Sequence, residues 1–170
     1  MPVPKPKIDD DHWEHAIAQV NRWRGNCVQR FAQTETAVTE TLLVLNAVPE
    51  KGASVKLPHL IGQRFEALKL VLGPEGAFAK EGIIAHEAIT AFLLREQLRA
   101  SLCHGVAKVA LERSGNWIAI FYLTTLRSQK CERTQLVVTQ TEASAMLEEI
   151  KLSGNKLGTA LGNLRNQFVA

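Results

Sequence analysis

The stretch RASLCHG, Arg99 to Gly105, sets a guanidinium and an imidazole five residues apart and follows them with a glycine. Histidine can give or take a proton near neutral pH, because its ordinary pKa lies at about 6.5. Arginine stays charged and offers a planar fork of donors that matches a phosphate. Together Arg99 and His104 could hold a phosphodiester and move a proton at it. Both lie in the last turns of an amphipathic helix, where an imidazole can leave the helix axis and meet a cleft or a second chain. Five residues on a helix turn through about 140°, so the two side chains do not stack on one face. They could flank a groove, or pair with their copies across a two-fold axis. The plainer alternative is an imidazole that merely complements a helix C-terminus, with Arg99 facing solvent or an acid.

Three further residues bear on this pair. Glu35 falls on the line Phe31, Glu35, Val38, Leu42, among apolar residues. A carboxylate there is costly to bury unless an arginine or another donor meets it. Arg95 and Arg99, read at i and i+4 on the third helix, are its candidate partners. Either Glu35 sits at the edge of the stripe and reaches water, or it joins a polar cluster that positions Arg99. Ser101 is a supporting residue beside His104, but helix neighbours point apart, and Cys103 reads as core. HEAIT at His86 starts like a zincin motif and lacks the second histidine. His12 and His15, near Asp9, Asp10 and Asp11, read as a solvated helix start, so no metal and no cofactor are expected. Neither GxxxxGK[ST] nor GxSxG occurs, which removes the P-loop and the nucleophile elbow.

The elements that must position these residues follow from periodicity. Asp11 and Glu14 have capping-box spacing. From there Ile17, Val20, Cys27, Phe31, Val38, Leu42 and Leu45 mark an amphipathic helix to about Asn46, with Gly25 as a place for a bend. VPEKGASVK is a loop. A second helix starts near Leu57, with Pro58 in its first turn and Ile61, Phe65, Leu68 and Leu72 as its stripe; GPEG ends it. A third helix is expected from about Phe78 to Cys103 or His104, with Ile84, Ala88, Ala91, Leu98 and Leu102 buried and Gly105 as its stop. VAKVALER, WIAIFYLTT and RTQLVVT then read as strands of an antiparallel meander, with SGN as a hairpin turn. Thr139 and Glu142 form a second capping box and open a last helix, striped by Met146, Ile150, Leu157, Leu161, Leu164 and Phe168. The expected fold is mainly α: a four-helix bundle with a small antiparallel β-meander inserted before the last helix.

The whole-chain totals fit that plan. The chain has 170 residues, of which 46% are hydrophobic, enough for a sizeable core. Residues 1–10, with their alternating prolines, read as a flexible tail, and 11–170 as one helical domain carrying the meander at about 106–139. The start has no apolar h-region and the apolar runs are only a few residues long, which speaks against a secretory signal and a membrane span. Three scattered cysteines, Cys27, Cys103 and Cys131, argue against a disulfide framework and for a reducing cytoplasm. A net charge of +3 admits a nucleic-acid partner without a dense basic block to demand one.

LREQLRASLCHG, late in a bundle helix and followed by a short β segment, resembles the HEPN superfamily, whose mark is an arginine, four to six residues and a histidine near a helix end. The resemblance covers the bundle plan from about Asp11 to Phe168 and is specific in this one motif. It implies a helical-bundle homodimer with the motifs of two chains facing each other. It also implies a metal-independent RNA endonuclease, often bacterial and of a toxin–antitoxin or phage-defence type, with Arg99 and His104 as the catalytic pair. RNA and an antitoxin or other protein are the partners so implied, and no membrane. Active members usually carry a polar residue after the arginine, where this chain has Ala100. The other reading is therefore a non-catalytic HEPN-like helical dimer that binds a partner protein or a small ligand. Under either reading the third helix is expected at or beside the dimer axis, with Phe92 and Leu94, outside its main stripe, facing the partner.

Overall fold

The computed structural model describes residues 10–127 and 129–169, so the proposed tail lies outside the described residues except for Asp10. Among the described residues the chain is mainly helical, with five α-helices and one small antiparallel sheet. These are α1 (Asp10–Asn46), α2 (Ile61–Leu72), α3 (Ile83–Leu93), α4 (Glu96–His104), β1 (Val106–Leu111), β2 (Trp117–Arg127), β3 (Lys130–Thr139) and α5 (Gln140–Arg165), with a 3-10 turn at Lys51–Ser54. No described helix is long and apolar enough to cross a membrane.

Backbone contacts divide the chain into two compact units: Met1–Val28 with Leu98–Leu147, and Gln29–Gln97 with Glu148–Ala170. In the first unit the sheet has strand order β1-β2-β3. Trp117, Ala119, Phe121 and Leu123 of β2 are buried and alternate with outward residues, the period of two that a half-buried strand requires. Val138 of β3 lies opposite Ala119 and is buried too. Val20, Trp23 and Cys27 of α1, Leu102 of α4 and Ala143 of α5 complete this core. The indole of Trp23 lies 6.1 Å from the rings of Trp117 and Phe121, and its Nε1 donates to the Ala143 carbonyl at 2.7 Å, so the buried N–H is satisfied. The β1–β2 hairpin closes as SGN suggests: Gly115 takes φ 89°, which glycine adopts without steric cost, and its N–H donates to Glu112 O at 3.0 Å.

The second unit packs Phe31, Val38, Leu42 and Leu45 of α1, Phe65, Leu68 and Leu72 of α2, Ala88, Ile89 and Phe92 of α3, and Ile150, Leu157, Leu161 and Leu164 of α5. Phe92 stacks on Phe65 at 5.9 Å with planes 8° apart and meets the edge of Phe31 at 5.9 Å. Arg64 fixes the entry to α2 by donating to the carbonyls of Pro58 at 3.0 Å and His59 at 2.9 Å.

Three expectations change. The third helix does not run unbroken from Phe78 to His104: residues 74–82 form turns, and the helix breaks at Leu94–Arg95. There the Arg95 N–H bonds to Phe92 O at 3.0 Å, an i to i−3 closure that tightens the turn and shifts its phase. The bundle plan of four helices thus becomes five. The face of α3 is rotated by one position, with Ala85, Ala88, Ile89 and Phe92 inside, while Ile84 and Ala91 are exposed. Phe92 is therefore core and does not face a partner; Leu94 is exposed. The second helix starts at Ile61 and leaves Pro58 outside it.

Candidate functional site

α4 carries three of the five residues singled out by sequence. His104 is its last residue and is exposed, Arg99 is half-buried, and Ser101 is buried at 4% exposure. The Ser101 side chain is closed off from solvent. Glu35 and Arg95 belong to the other unit. Glu35 is half-buried on α1. Arg95 sits in the break before α4, donates to the Ala91 carbonyl at 3.2 Å and lies 4.0 Å from Glu149. Arg95 and Arg99 are thus not an i, i+4 pair on one helix, because α4 begins at Glu96.

The end of α4 is held by a residue that the sequence did not single out. Arg24 of α1 donates through Nε to Leu102 O at 2.6 Å and through a terminal nitrogen to Gly105 O at 3.0 Å. Its guanidinium lies 5.5 Å over the Phe121 ring. A helix C-terminus presents carbonyls with no partner inside the helix and a partial negative charge, and a forked cation answers both. Arg24 flanks the buried Trp23 on the inner face of α1, yet its partners are 78 and 81 residues away, so no local pattern announces it.

Gly105 is needed for space. Its N–H still makes a helical bond to Ser101 O at 2.9 Å, and among the described glycines only Gly115 has a positive φ. A Cβ at Gly105 would stand 2.3 Å from Ser101 O and 3.2 Å from the Phe121 Cβ. The chain therefore passes from His104 through a closely packed glycine directly into β1. His104 stands open to water at this helix end, while the Arg24 cation is committed to the backbone.

Other signals place as follows. His12 is exposed, and the exposed His15 bonds Gln19 at 2.8 Å. His86 borders a cavity of about 290 Å³ with Glu66, Lys69 and Gly73. Among the described residues no three or more His, Cys, Asp or Glu side chains gather as a metal site. The second unit also holds an open groove of about 470 Å³ between α1 and α5, edged by Arg30, Lys151 and Asn155. Burial raises the Cys27 thiol to about 12, which keeps it protonated and inert, and Cys131 is exposed. Compared with known proteins, the chain matches no family model, no curated protein and no solved structure.

Proposed function

We propose that this chain is a HEPN-like, metal-independent RNA endonuclease of a toxin–antitoxin or phage-defence type, acting as a homodimer. The observation that supports it is the exposed His104 on the last turn of α4, on a helix end braced by Arg24. His104 takes the proton from a ribose 2′-hydroxyl or gives one to the leaving 5′-oxygen. The 2′-oxygen bonds to phosphorus as the bond to the 5′-oxygen breaks, leaving a 2′,3′-cyclic phosphate that water opens to a 3′-phosphate. Arg99 holds the phosphate and offsets charge in the transition state. DNA, which has no 2′-hydroxyl, resists.

The experiment compares wild type with His104→Ala and Arg99→Ala on mixed RNA in EDTA. Cleavage by wild type alone supports the reading; equal cleavage by all three, or by none, removes it. In the same samples, light scattering should give about twice the 18.8 kDa of one chain. A second reading, a non-catalytic dimer that binds a partner protein or a small ligand, draws on Ala100 after Arg99 and on the groove edged by Arg30 and Lys151. Normal growth of cells making large amounts of wild type would favour it.

A further inference from the structure

The outward face of the sheet is uncovered, and its chemistry is selective. Along β2 the outward residues alternate with the buried ones, and their cross-strand partners follow from the register. Val106, Tyr122 and Gln135 form one row, and Lys108, Ile120 and Val137 the next. Beyond the end of β1, Arg133 pairs with Thr124 on the same face. Val106 is 67% exposed, Val137 49% and Tyr122, the one tyrosine of the chain, 41%. Lys108 reaches over the Tyr122 ring at 5.3 Å. Among the described residues these rows carry no aspartate or glutamate: Glu132 of β3 pairs with Thr125, on the opposite side of the pleat, and the Glu142 carboxylate sits at the far end of the face, where it accepts from the Thr139 hydroxyl at 2.8 Å.

We infer that this face binds single-stranded RNA, with Tyr122 as a base-stacking platform and Lys108 and Arg133 as phosphate contacts. The identity of the strand as RNA rests on the ribonuclease reading above. A sheet face with an exposed aromatic and β-branched side chains suits base faces, and the two cations of these rows suit a phosphodiester backbone. On binding, Lys108 exchanges the tyrosine ring for a phosphate. A second copy docked face to face would instead bury Lys108 and Arg133 of both chains between rows that carry no carboxylate. The face also leads into the candidate site, because His104 and Gly105 run directly into Val106. A strand on the sheet is thereby guided toward the imidazole.

The test is fluorescence anisotropy with a fluorescein-labelled, unstructured RNA of about 12 nucleotides, within the usual span of such surfaces. Binding is read in the His104→Ala chain so that the probe stays intact, and cleavage is read separately in chains that retain His104. Tyr122→Ala should weaken binding about tenfold, and Tyr122→Phe, which keeps the ring, should stay close to the parent. Lys108→Gln with Arg133→Gln should reduce the slope of log affinity against log salt by about 1.4, the share of two phosphate contacts to a single strand. All of these side chains are exposed, so melting temperatures should not move. Unchanged affinity in the face variants overturns the inference, and if wild type still cleaves, the ribonuclease reading stands without it. Face-dependent binding with no cleavage by wild type keeps the face and removes the ribonuclease. No binding at all, or a change in oligomer mass rather than in RNA affinity on Tyr122→Ala, overturns it as well.

Discussion

Replacing Arg24 by alanine tests whether the end of α4 is held from outside the helix. The substitution removes two hydrogen bonds from a charged donor, at 2.6 and 3.0 Å, and one ring contact at 5.5 Å. Bonds to charged groups contribute about 1.5 kcal/mol each at the lower end, and an exposed cation over a ring about 0.5 kcal/mol. Arg24 is only half-buried, and water can replace part of what is lost, so the net cost is about 2–3 kcal/mol. The readout is hydrogen exchange at the Gly105 amide, which bonds to Ser101 O, and along the last turn of α4. Where exchange follows local opening, that loss accelerates it by about 30- to 150-fold. Arg24→Lys keeps the charge but not the fork, and it should recover roughly half of the loss. Urea unfolding followed by the fluorescence of Trp23 and Trp117 gives a second measure in the same unit. Exchange within about threefold of wild type in Arg24→Ala would show that α4 ends where it does without this brace.

The two glycines Gly158 and Gly105 should respond in opposite directions. A Cβ at Gly158 meets nothing within 4 Å, so Gly158→Ala should raise stability by up to about 1 kcal/mol in a urea titration. Gly105→Ala drives a Cβ to 2.3 Å from Ser101 O and should cost about 1–3 kcal/mol. Burial raises the Cys27 pKa from 9.0 to about 12, so its share of stability is complete below pH 9.0 and is lost as pH rises toward 12. Native protein treated with a thiol-reactive dye should accordingly label at the exposed Cys131 first and at Cys27 only on unfolding, and early labelling of Cys27 would contradict its burial. The backbone N–H and then the hydroxyl of Thr139 donate to Glu142 and lower its pKa below 4.5. Its contribution is therefore present above that value and fades as pH falls through the lowered one, and Glu142→Gln should flatten the acid limb of the stability curve.

How far the sequence could be read depended on whether the determinant was local. The Thr139–Glu142 box forms as its spacing implies, with Thr139 N–H to Glu142 Oε2 at 2.9 Å and Glu142 N–H to Thr139 Oγ1 at 3.3 Å. The long stripe of α1 locates that helix to within a residue, because an error in phase cannot persist over many turns, while the stripe of α5 finds its start but overruns its end: Phe168 lies three residues past Arg165, in a turn, with its ring against Phe78. The break at Leu94–Arg95 carries no glycine or proline, so LLREQ reads as continuous helix and gives no warning. Periodicity alone puts Ile84 inside and Phe92 outside, because apolar residues nearly surround α3, and only packing chooses among them. The exposure of His104 followed from its place at a helix end. Arg24 did not follow from anything nearby, since its partners exist only once α1 and α4 are folded together.

Each unit is assembled from two separate pieces of chain, and the seams at Val28, Gln97 and Leu147 all fall inside helices. Synthesis from the N-terminus therefore completes the first unit while the second, most of whose chain is already made, still waits for its C-terminal piece. When Leu147 has emerged, the first unit has every buried side chain it uses, including Ala143, whose carbonyl receives the Trp23 indole from 120 residues upstream. The second unit has by then shown Phe31, Phe65 and Phe92 for some time and still lacks Ile150, Leu157, Leu161 and Leu164. Its apolar surface stays open until the segment after Leu147 arrives, so a ribosome that stalls just past Leu147 leaves a nascent chain with a finished sheet and an unfinished helical core.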